Sequence, residues 1–497
     1  MKTYKDLQQL EQKKVCCNCV EEKYLSAQIT NDGKNGTCSY CGKKTKCFSL
    51  EQFADKIQVA FEQHYDRTST EPEPWEYAIL ADKEEHYEWD RKGDNIIYVF
   101  QEAAGIDEEI ASDVQEVLEV KFDDMEAAQC GIETEFSSDS HYEENKPNEG
   151  SWQSEWLYFE TSLKTETRFF SKAASQFLSS IFSDLDKMKT ADGQSLIIEA
   201  GPGRQFSEVY RARSFQSNKK LEEAIKQPGK FLGPPPYESA HAGRMNAQGI
   251  SVFYSSNNID TALAEVRPPV GSKVVTARFD IIRKLQLLDL TALNSVTTKG
   301  SIFDPEFIEH LERTMFLQNL SQRITMPVMP NHETFEYLAT QVIADYLSSE
   351  NNPPLDGIIF PSVQTNDKAL NVVLFHKAAG IEELELIEGT EVTARLGEWD
   401  DEDWENNYNV YEEYPPEEKE EPKKDFTFPI LPDFLRGSET NLDSRPPTLK
   451  IDLDSIFVHI VESVKFNSSK HRVTRHRWEK RKSANDKIDP DILLDIF

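Results

Sequence analysis

Four cysteines near the start of the chain carry the sharpest chemical signal. Cys16-Cys17-Asn18-Cys19 and Cys38-Ser39-Tyr40-Cys41 form two C-x-x-C pairs, with eighteen residues between Cys19 and Cys38. Each pair can close a knuckle that turns both sulfurs inward, and two knuckles make the tetrahedral four-sulfur site that zinc favours. Gly42 directly follows the last thiolate, as a tight knuckle wants. Four sulfurs leave no open coordination position. The expectation is therefore a structural Zn2+ held by Cys16, Cys19, Cys38 and Cys41, with no catalytic role. Cys17 could replace Cys16, and the sequence leaves that choice open. Six of the seven cysteines lie before residue 48. Such crowding suits a metal site in a cytosolic chain better than a disulfide framework spread through a secreted one.

The second concentration of chemistry runs from Val209 to Arg267. Val209-Tyr210 reads as a short strand that delivers Arg211 to its end. Phe231-Leu232-Gly233-Pro234-Pro235-Pro236 then forces a loop, and Ala242-Gly243-Arg244-Met245-Asn246-Ala247-Gln248-Gly249 continues it. Val252-Phe253-Tyr254 is a second apolar strand, and Asp260 to Val266 reads as one or two helical turns carrying Glu265. Taken singly, these residues have ordinary readings. A loop arginine is usually solvated or ion-paired, and a tyrosine flanked by apolar residues is usually core.

As a set they resemble the RES family, the NAD-consuming toxin domains of bacterial toxin–antitoxin pairs. The family pattern is a Tyr-Arg start, a Gly-Arg-aromatic-Asn-x-x-Gly loop, a Tyr on the next strand, a Glu on the following helix and a later Ser. Here these are Tyr210-Arg211, Gly243 to Gly249 with Arg244 and Asn246, Tyr254, Glu265 and Pro361-Ser362. Met245 departs from the pattern, where an aromatic is usual. The resemblance implies an α+β fold like that of ADP-ribosyltransferase toxins, which bind NAD extended in a cleft. It also implies cleavage of the nicotinamide–ribose bond, by water, by phosphate or with transfer to a protein.

The residues suit that chemistry. A planar guanidinium binds a diphosphate through paired hydrogen bonds, and Arg211 and Arg244 are the candidates. Breaking the glycosidic bond puts positive charge on ribose, which a fixed carboxylate stabilises more than it stabilises the ground state. Glu265 fits that role. Nicotinamide leaves as a neutral base, so no general acid is required. Tyr254 could stack on or hydrogen-bond the nicotinamide end, and Ser362 could bond its amide or a ribose hydroxyl. The expected catalytic set is Arg211, Tyr254, Glu265 and Ser362, with Tyr210, Arg244, Asn246 and Gln341 binding NAD. For Gln341, alone on a helix, the plainer role is structural. The alternatives are a mono-ADP-ribosyltransferase with a protein target, and a non-catalytic dinucleotide-binding or scaffold protein.

The elements that must position these residues form a long acidic chain. Its 497 residues carry 88 acids against 55 bases, a net charge of −33. Such a surface repels phosphate, so nucleic acid is an unlikely partner class. No run of 18 apolar residues and no signal-peptide pattern is present, so a soluble cytoplasmic protein without membrane contact is expected. Residues 1–48 are expected to form the zinc ribbon and 49–195 a helical domain. Ser49-Leu50-Glu51-Gln52 reads as a capping box. Apolar stripes follow at Phe53, Ile57, Ala60 and Phe61, at Ile106 to Leu118, and from Trp156 through Leu157, Phe169 and Phe170 to Leu185. This segment resembles the HEPN-like domain that often precedes RES domains, but no Arg-x4–6-His spacing supports ribonuclease activity.

Residues 196–392 are the RES-like domain, mixing strands and helices without a βαβ repeat. No G-x-G-x-x-G after a strand and no P-loop is present. Residues 393–447 read as an acidic, disordered linker or insertion, because Glu398 to Glu421 holds twelve acids and one lysine. Residues 448–497 give a further strand, a basic run at Lys470 to Lys482 and a short amphipathic tail at Asp489 to Phe497. The basic run is expected to dock on the chain's own acidic surface or on a second copy. An uncontrolled NAD-consuming enzyme would kill its host. The expected control is an inhibitory antitoxin or other regulatory protein, a homo-oligomer, or the N-terminal domains acting as a sensor in phage defence.

Overall fold

In the computed structural model the described residues are 10, 12–81, 87–124, 130–365, 369–400, 403–416, 445–465 and 468–477. The N-terminal part begins with a small antiparallel sheet in the order β1 (Lys14–Cys16), β3 (Lys44–Ser49) and β2 (Lys34–Thr37), with helix α1 (Lys23–Asp32) preceding β2. Helices α2 (Leu50–His64), α3 (Ile96–Ala104) and α4 (Glu108–Lys121) follow. The capping box of α2 forms as expected. Ser49 Oγ accepts from the Gln52 amide, and Gln52 Oε1 accepts from the Ser49 amide, both at 3.3 Å. Such a cap contributes about 1 kcal/mol. Phe53, Ile57, Ala60 and Phe61 of α2 are buried against Ile110, Val114, Val117 and Leu118 of α4, in the same core as Val15, Leu25 and Phe48 of the cysteine region. The core is therefore continuous across residues 48 and 49.

The main body is a nine-stranded sheet. Its strands in chain order are β4 (Ile197–Ala200), β5 (Glu208–Phe215), β6 (Phe253–Ser256), β7 (Lys273–Ile281), β8 (Leu285–Asp289), β9 (Gly357–Pro361), β10 (Leu370–Leu374), β13 (Leu449–Ile451) and β14 (Phe457–Ile460). They lie in the order β13-β7-β5-β6-β10-β9-β8-β4, and β14 shares the β7 edge with β13. All pairs are antiparallel except β8 with β9. That mixture is the α+β class expected.

Alternation along the strands gives the sheet two faces. On one, Leu288, Ile358, Phe360 and Val373 pack under α5 (Gly150–Thr165), α6 (Lys172–Phe182), α9 (Phe307–Thr325) and α10 (Glu333–Ser349). On the other, Val209, Val275, Phe279, Ile359, Val372 and Leu374 pack under α7 (Asn218–Lys226). Helices α5 and α6 fall within the expected helical segment 49–195, yet their Trp152, Trp156, Phe159, Leu163, Phe177 and Ile181 belong to the core over the sheet. The aromatic stripe is only partly buried. Leu157, Phe169 and Phe170 face solvent, the last fully exposed with a left-handed φ of 61°.

The acidic segment departs further from expectation. Within it, β11 (Glu391–Asp400) and β12 (Asp403–Glu413) form an antiparallel hairpin with a bulge between Arg395 and Gly397. Trp399 stands directly opposite Trp404, their rings 5.7 Å apart edge to face, a pair worth about 1 kcal/mol. Ala394, Leu396 and Tyr408 lean on the core beneath α7. Local charge density marked this stretch as a solvated chain, but alternate residues supply the apolar side that a hairpin needs. Residues 417–444 lie outside the described residues, as do the end of the basic run and the amphipathic tail. Ser468 to Arg477 is exposed and without regular structure. Among the described residues no helix is long and apolar enough to cross a membrane.

His64, at the end of α2, is 3% exposed, and its Nε2 has no hydrogen-bond partner among the described residues. Its ring lies 6.1 Å from that of Phe307 at the start of α9. Burial lowers its pKa below the ordinary 6.5, against the opposing pull of Glu144. A depressed histidine favours the fold while neutral. Its contribution is present above about pH 6.5 and is lost as pH falls through the folded value. The melting temperature of the wild-type chain should fall more between pH 6.5 and 5 than that of His64→Leu, as read by calorimetry at both pH values.

Candidate functional site

Glu265 is the last residue of α8 (Ile259–Glu265), a short helix that packs on β5, with Ala262 and Leu263 against Tyr210 and Ala212. The helix starts where Asn258 Oδ1 accepts from the Thr261 amide at 2.8 Å. It ends before Arg267, whose φ of 43° lies in the left-handed region, ahead of Pro268-Pro269. A non-glycine residue held there turns the chain sharply at a strain of order 1 kcal/mol. The turn leaves the half-buried Glu265 carboxylate over the ends of β9 and β10. Its Oε1 accepts from Ser362 Oγ at 2.6 Å and from Asn371 Nδ2 at 2.7 Å. Among the described residues Oε2 has no hydrogen-bond partner. Ser362 directly follows β9, as the strand ending at Pro361 led us to expect.

Tyr254 and Ser256 alternate onto the same sheet face as Asn371, because Ser256 pairs with Asn371 and Tyr254 with Val373. The Tyr254 hydroxyl donates to Asn246 Oδ1 at 2.9 Å and accepts from the Met245 amide at 3.0 Å. Burial pushes the Tyr254 pKa up to about 12, which keeps the hydroxyl protonated at neutral pH. Asn246 spends its amide nitrogen on the carbonyls of His241, Ala247 and Ile250. Gln341 Nε2 donates to Gly243 O at 2.8 Å, and Thr340 Oγ1 donates to Arg244 O at 2.5 Å. Asn246 and Gln341 thus shape the loop with the groups that would otherwise meet a ligand.

Arg244 leaves that loop toward the C-terminal end of α9. Its Nη1 and Nη2 donate to Ile324 O at 2.6 Å and Met326 O at 2.9 Å. A cation suits the carbonyl end of a helix dipole. The guanidinium lies 5.0 Å from the Tyr337 ring centroid, in cation–π range. Arg244 and Arg267 both pull on the Tyr337 hydroxyl, although burial is the larger influence and raises its pKa. Tyr254 feels Arg244 and Tyr337 in turn. Two arginines and two tyrosines therefore gather on the face that presents Glu265. Asn371, Tyr337 and Arg267 were not among the expected site residues. Asn371 had a visible signal, a lone amide within Leu370-Asn371-Val372-Val373-Leu374.

Arg211 is placed differently. It lies in mid-strand, because β5 pairs with β7 along its whole length and does not stop after Tyr210. It stands beside Ala277, and its guanidinium lies 4.7 Å over the Phe253 ring, on the face covered by α7. That is the face opposite Glu265. Nη1 is shielded from solvent with no hydrogen-bond partner among the described residues, and burial lowers the Arg211 pKa to about 10. Tyr210 shares the α8 face, and its hydroxyl donates to Glu208 Oε1 at 2.8 Å.

The cysteine cluster assembles at the N-terminus. The Sγ atoms of Cys16, Cys19, Cys38 and Cys41 all lie within 4.8 Å of one another. Cys16 lies 3.7 Å from Cys19 and 3.5 Å from Cys41, and Cys19 lies 3.8 Å from Cys38. Zn–S bonds of about 2.3 Å in a tetrahedron place sulfurs roughly 3.8 Å apart, so the donor set fits such an ion. The fold chooses Cys16 over Cys17. Burial raises the Cys16 thiol to about 11 and raises Cys19 as well, whereas a backbone hydrogen bond from Lys43 draws the exposed Cys41 down to about 7. Within the second knuckle the Tyr40 hydroxyl donates to Asp113 Oδ2 of α4 at 2.7 Å, and Lys13 pairs with the same carboxylate. The knuckle is thereby tied to the helical core.

Two outcomes follow from these contacts. A Cβ at Gly243 would lie 2.7 Å from both Asn246 Oδ1 and Tyr254 Oη, so Gly243→Ala should cost about 1–3 kcal/mol in chemical denaturation. Cys38→Ser should lose one equivalent of metal by elemental analysis and lower the melting temperature, and a strong chelator should do the same to the wild-type chain.

No curated protein and no solved structure matches this chain. A family model described as RES domain matches residues 208–394, a span that contains Glu265, Ser362, Asn371 and the Arg244 loop. The chain carries a RES domain, built on the central sheet and preceded by a cysteine cluster and helices.

Proposed function

We propose that the chain is an NAD+ glycohydrolase or phosphorylase that cleaves the nicotinamide–ribose bond. The observation that carries this reading is the Glu265 carboxylate, held through one oxygen by Ser362 and Asn371 and without a hydrogen-bond partner among the described residues at the other. In the reaction the bond from ribose C1′ to the pyridinium nitrogen breaks, and its electron pair neutralises nicotinamide. Positive charge develops on ribose, and Oε2 stabilises it. Water or phosphate then attacks C1′, water releasing a proton to solvent. Because Glu265 is held before substrate arrives, little reorganisation is needed during bond breaking.

Arg244 and Arg267 supply the positive rim for the diphosphate, with Tyr254 and Tyr337 offering aromatic faces. Arg211, beneath the sheet, supports this reading less directly. Its role is to hold β5 and β6 in place through Phe253. Transfer of ADP-ribose to a protein uses the same carboxylate and remains the second reading. Zn2+ is the ion proposed for the four cysteines, where it would lock the two knuckles together. The proposed setting is cytoplasmic, with an inhibitory partner protein or self-association restraining activity.

Nicotinamide release from NAD+ by the purified full-length chain tests the proposal, with and without phosphate. Glu265→Gln and Ser362→Ala should lower kcat/KM by roughly 100-fold and 10-fold. A rate raised by phosphate marks phosphorolysis. Wild-type activity that survives intact in Glu265→Gln would sink the assignment.

A further inference from the structure

Of the two groups that hold Glu265 Oε1, Asn371 is the one outside the expected site residues. It is 7% exposed and sits in β10 among Leu370, Val372, Val373 and Leu374. A buried amide within an apolar strand costs free energy unless its donor and acceptor are both matched. Both are. Ser256 Oγ, directly across the β6–β10 pair, donates to Asn371 Oδ1 at 2.9 Å. Asn371 Nδ2 donates to Glu265 Oε1 at 2.7 Å. The carboxylate accepts only, so it sets which end of the amide faces it. Ser362 meets the same oxygen from β9.

We propose that Asn371 is a positioning residue, which with Ser362 pins Oε1 of Glu265 so that Oε2 alone is presented to the electron-poor centre of the ligand. The inference rests on the glycosidic reading for its ligand, and on geometry alone for its clamp. Two strands hold one carboxylate oxygen from two directions, so the carboxyl plane cannot rotate about its terminal torsion. Among the described residues, the other charged or titratable groups around α8 are Asp260 and Arg267 at its ends, Tyr210, Tyr254 and the Arg278 ion network on the strands, and His459 on β14. None of them hydrogen-bonds to Glu265.

The full-length chain, labelled with carbon-13 at glutamate side-chain carboxyls, gives a readout independent of turnover. The Glu265 resonance is the one missing in Glu265→Gln. Its chemical shift at neutral pH should move in Asn371→Leu, because Oε1 loses one of its two donors. Asn371→Asp also removes the donor while keeping the side-chain size, should leucine disturb the strand, and should move the resonance as well. With NAD+, kcat in Asn371→Leu should fall roughly 10- to 100-fold with KM within about threefold. A resonance unmoved in both variants overturns the proposal, whatever the kinetics. A moved resonance in a chain that does not cleave NAD+ supports the clamp and sinks the glycosidic reading.

Discussion

Backbone pairing in the middle of the central sheet is the constraint on which the site depends. β10 pairs with β6 on one side and β9 on the other. That arrangement sets Ser256, Asn371 and Ser362 around one carboxylate, although Ser362 and Asn371 lie 97 and 106 positions from Glu265. A slip of one residue in either register would turn Asn371 toward α7 and leave Glu265 with one donor fewer. The register is held by burial on both faces, with Val373 and Ile358 under one helical layer and Val372 and Ile359 under the other. The apolar core and the placement of the carboxylate are thus one problem with one solution.

The loop beside the sheet is held differently. Met245 anchors it in the core over the sheet, and hydrogen bonds that converge on Tyr254, Asn246 and Gly243 fix the rest. A buried hydroxyl that both donates and accepts can orient a segment that lacks regular structure. Arg244 gains its position from this loop and from the carbonyl end of α9. The cationic rim therefore depends on α9 and α10, the helices that also cover the sheet. Helices α5 and α6 join the same core, so the segment before the RES domain contributes directly to the layer above the site.

Local signals were legible where neighbours in sequence are neighbours in space. The two cysteine pairs, the capping box at Ser49, the strand ending at Pro361 and the helical turn carrying Glu265 are all short-range patterns, and all form. Charge misled at Glu391 to Glu413, because composition averages over the alternation that lets a hairpin keep its acids in water. Phe169 and Phe170 misled in the opposite sense, because an apolar residue at a turn need not face inward.

The sequence by itself determined which residue types were available: four thiolates at knuckle spacing, a glycine-bounded arginine loop, one carboxylate ending a short helix and a serine after a buried strand. Only the tertiary structure decided which of them meet. It chose Cys16 over Cys17, spent Asn246 and Gln341 on the loop, and set Arg211 beneath the sheet. It also brought Asn371 to Glu265. The physical reason is that side-chain direction on a strand follows from register and pairing, which are properties of distant segments together. A residue's type can be read alone, but the side of the sheet it faces, and the partner waiting there, cannot.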